Sequence, residues 1–114
     1  MNKPILIVGG GPAGLAAAHA LARVGQNSVL VEKQDRLGGA PILSGYAKLV
    51  PSGEWARDAI GGMVDRVRND PLVDVQTDAQ VESFAGQPGA FSARLSNGTS
   101  VDAAAAILCT GFTH

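Results

Sequence analysis

Cysteine is almost missing from this chain: Cys109 is the only one. That excludes an internal disulfide and any multi-cysteine metal or iron–sulfur site built from this sequence. Net charge is nearly absent as well, at −1, so no electrostatic footprint for nucleic acid or an anionic membrane is present. No apolar run is long enough to span a bilayer. The first residues pass straight into an apolar segment without a charged-then-apolar leader, which predicts a cytoplasmic protein. There is no internal repeat and no low-complexity tract. With 46% hydrophobic and 17% charged residues in 114, the chain has an ordinary globular composition and the size of a single domain, residues 1–114.

Glycine, by contrast, is plentiful and patterned. Ile5-Leu-Ile-Val runs into Gly9-x-Gly11-x-x-Gly14, then an alanine-rich stretch, then Val29-Leu-Val-Glu32. A strand, a tight glycine turn, a helix and a second strand closing on an acid suit a bound dinucleotide. Gly9 permits a sharp turn off the strand, Gly11 lets a pyrophosphate approach the backbone, and Gly14 lets the helix lie close on the sheet. Pro12 fits the first helical turn, where its missing N–H costs nothing. The free amides and positive end of the helix then face the phosphates. Glu32 is spaced to take the hydroxyls of an adenosine ribose. Its charge favours FAD or NAD(H) over NADP(H), whose 2′-phosphate it repels; Lys33 and Arg36 soften that repulsion.

Periodicity gives the remaining elements. Strands are predicted over 4–8 and 28–32, with a helix over 12–24 ending at Gly25. Residues 33–53 are broken by Gly38, Gly39, Pro41, Gly45, Pro51 and Gly53. Trp55, Ala59, Ile60, Met63, Val64 and Val67 recur on one face of a helix over 54–69, and Val73–Thr77 reads as a third strand. Short alternating segments from Gln80 to Asp102, with Gly86–Gly89 and Asn97-Gly98 between them, predict a small antiparallel meander. Ala103 to Cys109 reads as one apolar strand returning to the parallel sheet. The fold class is therefore α/β: a Rossmann-like, three-layer dinucleotide-binding domain with a parallel sheet and a small antiparallel β-meander.

Three motifs stand in order: Gly9-x-Gly11-x-x-Gly14 with Glu32, then Arg36-Leu-Gly38-Gly39, then Ile107-Leu-Cys109-Thr110-Gly111. Together they resemble the FAD domain of the two-dinucleotide-binding-domain flavoproteins, the group of the glutathione reductase and thioredoxin reductase types. The stretches Asn69–Thr77, Val81–Phe91 and Thr110–His114 are similar to the A-type subunit of heterodisulfide reductases. The resemblance implies that Gly9, Gly11, Pro12, Ala13 and Gly14 hold the FAD pyrophosphate, and that Glu32 with Lys33 binds the adenosine ribose. It places Arg36, Gly38, Gly39 and Ala40 along the phosphates and ribityl chain, Val81 at the adenine, and Thr110 and Gly111 near the cofactor. Two departures stand out. Pro41–Gly53 carries no cysteine, unlike the long A-type subunits, and the downstream Gly-Asp segment that completes the family's FAD domain is not part of this sequence. The chain thus reads as the N-terminal portion of a larger flavoprotein.

Other residues have plainer readings. Cys109 is a small buried residue, His19 a solvated helix residue, and His114 a terminal one. Trp55 and Met63 belong to a helix core, Tyr46 to loop packing, and Arg57, Asp58, Asp65, Arg66 and Arg68 to a solvated helix face. No metal ligand set and no acid, base or nucleophile stands out. The expected function is electron carriage through bound FAD within a heterodisulfide-reductase-like complex of protein subunits. The alternatives are an NAD(H)-binding module without flavin, and a non-catalytic fragment or partner domain. An open sheet edge also allows homo-oligomers.

Overall fold

A computed structural model describes residues 3–38 and 53–109, with side chains of 53–60 excepted. The elements run β1 (Ile5–Val8), α1 (Pro12–Arg23), β2 (Ser28–Val31), α2 (Gly53–Asn69), β3 (Val73–Gln76), β4 (Val81–Gln87), β5 (Ala90–Leu95), β6 (Ser100–Ala103) and β7 (Ala105–Leu108). Strands β3-β2-β1-β7 form a parallel sheet, and β4-β5-β6 form an antiparallel one. Tyr46 and the loop from Gly39 to Ser52 lie outside the described residues, as do His114 and the other residues after Cys109.

Alternation along β1 and β2 divides their side chains between two cores. Ile7, Leu30 and Val73 point to the helical side, where they pack with Leu15 and Ala18 of α1, Val67 of α2 and Leu37. Met63 and Val64 join that cluster from α2, as their helical spacing predicts. Leu6, Val29 and Val31 point the other way, onto Ala93 and Leu95 of β5, Val101 and Ala103 of β6, and Ala79. The molecule is thus three layers: helices, parallel sheet, meander. The apolar run Val29–Val31 of β2 follows, because the strand is covered on both faces and buried throughout, with Ser28 at its start the one polar side chain.

Helix α1 begins with Pro12 in its first turn and ends at Arg23, a residue earlier than the periodicity suggests. Gly25 adopts φ 79°, its N–H donates to Ala22 O, and the Gln26 N–H reaches back to Leu21 O. This Schellman arrangement satisfies the last carbonyls. After α2, the Asp70 carboxylate accepts from the Leu72 N–H at 2.9 Å and turns the chain into β3.

The meander differs in detail from its sequence expectation. Strand β4 runs on through Gly86 to Gln87, so only Pro88-Gly89 turns the chain into β5. The Asn97-Gly98 turn is a three-residue loop: the Gly98 N–H donates to Leu95 O, and the Leu95 N–H to Thr99 O. The apolar run Ala103–Cys109 is not one strand. Ala103 ends β6 and pairs with Phe91, while Ala105 begins β7 and pairs with Ile5. The chain changes sheets at Ala104, whose N–H donates to Pro4 O at 3.0 Å. A uniform run of alanines carries no signal for that change. His19 is half-buried rather than fully solvated.

Candidate functional site

The C-terminal ends of β1 and β2 meet the start of α1, the end of a parallel sheet at which ligands bind. Gly9 leaves β1 at φ 114°, and its N–H still donates to Val31 O at 2.8 Å. The chain therefore turns sharply while remaining tied to β2. Gly14 packs directly on the Gly9 carbonyl; a β-carbon there would overlap that oxygen. This contact sets how closely α1 approaches the sheet.

Gly11 caps α1, its carbonyl accepting the Leu15 N–H at 2.9 Å, with no side chain closing the helix start. A β-carbon on Gly11 would meet nothing within 4 Å. The amides of Gly11, Ala13 and Gly14 have no acceptor among the described residues. Orphan donors at an open helix start, in the field of the helix dipole, can hold a phosphate group.

Glu32 lies just beyond β2 and is only 8% exposed. Its Oε1 accepts the Gly10 N–H at 2.7 Å, and its Oε2 accepts the Gln34 N–H at 2.8 Å. The backbone of Glu32 is fixed too: its N–H donates to Gln76 O and its carbonyl accepts the Ala79 N–H. The last of these contacts brings the start of β4, and with it half-buried Val81, to the neighbourhood of Glu32. Gly38 returns to the loop, donating its N–H to Gly10 O at 2.7 Å.

The structure therefore gathers Gly9, Gly11, Pro12, Ala13, Gly14, Glu32 and Gly38 at one end of the sheet. Lys33 and Arg36 stand exposed beside them, and the Arg36 guanidinium lies 3.8 Å from the exposed Asp35 carboxylate. Such a surface pair contributes little and leaves Arg36 free to turn toward an anion. Gly39, Ala40, Thr110 and Gly111 fall outside the described residues. Sequence reasoning missed Gly10, Gln34 and Leu37. Gly10 occupies the variable place of the motif, so its only signal is the unbroken run Gly9-Gly10-Gly11. A β-carbon there would lie 2.6 Å from Leu37 Cδ2 and 3.0 Å from Glu32 Cβ.

No group of three His, Cys, Asp or Glu side chains able to hold a metal occurs among the described residues. No described helix is long and apolar enough to cross a membrane. Cys109 extends the line of β7, its N–H donating to Val8 O, and packs at the margin of the helix-side core. Burial pushes its thiol pKa up, which favours the unreactive protonated form.

Comparison with known proteins gives a family and a fold. A family model described as FAD dependent oxidoreductase matches residues 4–105. The chain is 44% identical over 71 residues to a urocanate reductase of Eggerthella lenta, covering 60% of the chain and 12% of that protein. It is 35% identical over 91 residues to the A-type iron–sulfur subunit of the CoB–CoM heterodisulfide reductase of Methanocaldococcus jannaschii, covering 80% of the chain and 14% of that protein. Among solved structures, the T. acidophilum thioredoxin reductase superposes with a TM-score of 0.74 at 22% identity, over 99% of this chain and 36% of that one. An L-proline dehydrogenase from P. horikoshii gives 0.72 at 20% identity, over 97% and 23%. The chain thus spans about an eighth of the length of these curated relatives.

Proposed function

Because the chain belongs to the FAD dependent oxidoreductase family, we propose that it binds FAD at the C-terminal edge of its parallel sheet. In this reading it forms the flavin-holding part of an electron-transferring oxidoreductase of the heterodisulfide reductase A type. The observation that carries the reading is the contrast within one loop. Gly10 and Gly14 are packed tight, while Gly11 between them borders open space at the mouth of α1.

The residues fit the adenosine diphosphate half of the cofactor. The Gly11, Ala13 and Gly14 amides would meet the pyrophosphate, and Pro12 removes a donor where none is needed. Glu32 retains lone pairs beyond the two amides it accepts, enough for a ribose hydroxyl. Gly38, with Gly39 and Ala40, would carry the chain along the phosphates and ribityl group, with Lys33 and Arg36 as cations beside it. Val81 would approach the adenine through its backbone, and Thr110 with Gly111 would pass near the cofactor. Bound flavin supplies the redox chemistry; the chain binds and orients it. The partner subunits of an electron-transfer complex, self-association and a cytoplasmic location belong to the same proposal.

Titration of the full chain with FAD, followed by flavin fluorescence, tests it. FAD is expected to bind and to be displaced by ADP but not by FMN, which lacks the adenosine half. Saturable NADH binding by a chain that ignores FAD overturns the flavin assignment in favour of a nicotinamide module.

A further inference from the structure

We propose that Glu32 is a positioning residue for the phosphate loop, acting through the Gly10 peptide and separately from any contact it makes with a sugar. The proposal rests on the dinucleotide reading above. Its basis is that Gly10, although outside the glycine fingerprint, is the peptide on which three segments converge. Its N–H donates to Glu32 Oε1 at 2.7 Å, in a buried bond. Its carbonyl accepts the Gly38 N–H at 2.7 Å. Gly9, next to it, donates to Val31 O at 2.8 Å.

The Glu32 carboxylate is itself immobilised. Its second oxygen accepts the Gln34 N–H, and its own backbone is tied to Gln76 and Ala79. The Cα hydrogen side of Gly10 faces Glu32 Cβ, Glu32 Oε1 and Leu37 Cδ2, so no slack remains there for the loop to shift. A flexible glycine tripeptide is conformationally permissive and loses much entropy when ordered. Holding it in place before a ligand arrives removes that cost from binding. The carboxylate therefore fixes the direction of the Gly11, Ala13 and Gly14 amides. Through Gly10 it also docks the Gly38 segment on the same loop. A role as sugar ligand alone does not require the bond to Gly10.

The test uses Glu32→Gln and Glu32→Met in the full chain. Both remove the charge at similar length, but only glutamine retains an oxygen that accepts the Gly10 N–H. Amide hydrogen exchange is read at Gly10, Gly38, Ile7 and Leu30. Affinity is read with inorganic pyrophosphate, which carries no sugar, and with FAD. In the wild type, Gly10 and Gly38 are expected to be protected. Glu32→Met should lose protection at both, with Ile7 and Leu30 unchanged, and bind pyrophosphate about five- to tenfold more weakly than Glu32→Gln, the scale of one hydrogen bond. Fast exchange at Gly10 in the wild type overturns the proposal without any variant. So does equal pyrophosphate affinity in the two variants with FAD binding weakened in both, which makes Glu32 a sugar ligand only. A wild-type chain that binds neither FAD nor pyrophosphate overturns the flavin reading itself, and the proposal with it.

Discussion

Gly11 and Gly14 lie one helical turn apart at most, yet the structure makes opposite demands on them. Gly14 has no room for a side chain, because the Gly9 carbonyl occupies the place of its β-carbon. Gly14→Ala is expected to cost about 3 kcal/mol or more, since backbone must move to relieve the overlap. Gly11 has a φ of −78° that any residue adopts, and free space around it. Gly11→Ala is expected to cost about 1 kcal/mol or less, the difference between glycine and alanine at a helix cap. It should nevertheless weaken FAD binding at least about tenfold, because the methyl enters the space reserved for the pyrophosphate. Urea titrations with and without FAD separate the two effects. Equal loss of stability in both variants contradicts the division of roles. Cys109 offers a second check at this scale. Burial raises its thiol pKa, so the folded chain holds the proton more tightly than the unfolded one. That contribution is fully present below the unfolded thiol's pKa and is lost as pH rises through the folded one. Iodoacetamide at about pH 8, just below the free thiol's pKa, should alkylate the native chain more slowly than the denatured chain.

The elements show why some features could be read from the sequence and others could not. The βαβ unit was legible because each signal is local: β-branched runs, Pro12 at the helix start and Gly25 just beyond its end. The Schellman cap at Gly25 is the local signal carried through to hydrogen bonds. Gly25→Ala is expected to cost about 1–2 kcal/mol through its left-handed backbone, lowering Tm by about 4 °C or more. A scanning calorimetry trace identical to wild type contradicts that account. The candidate site was legible to the same degree. Glycine spacing and Glu32 were visible, but the bond between Glu32 and Gly10 joins residues distant in sequence and follows no spacing rule. The switch of sheets at Ala104 was hidden for a different reason. Ala103, Ala104 and Ala105 are chemically identical, and only pairing with Phe91 on one side and Ile5 on the other distinguishes them. Likewise β4 runs through Gly86, a residue that sequence reading treats as a break.

For the whole molecule, the question is whether parallel sheet and meander are one folding unit. The core between them is shared. Leu6, Val29 and Val31 of the parallel sheet bury their side chains against Ala93, Leu95 and Val101 of the meander, and neither sheet covers that face alone. Backbone bonds reinforce the junction where Ala104 meets Pro4 and Ala79 meets Glu32. The outer strand β7 is less protected, with Ile107 37% and Leu108 76% exposed. It is one of the two edges of the parallel sheet among the described residues, β3 being the other, and it carries the more exposed apolar side chains, so it offers an edge for further chain or a second copy. We therefore expect Leu95→Ala, in the shared core, to cost about 2–5 kcal/mol through lost burial and cavity formation. The loss should appear in the parallel sheet and helices as fully as in the meander. Amide protection at Leu15 and Ala18 of α1, across the sheet from the mutation, should then be lost at the same urea concentration as far-UV circular dichroism, in both wild type and variant. If the Leu95→Ala meander melts first while protection at Leu15 and Ala18 keeps the wild-type midpoint, the chain is two units. The bond from the Ala79 N–H to the Glu32 carbonyl then has to be explained without a common core.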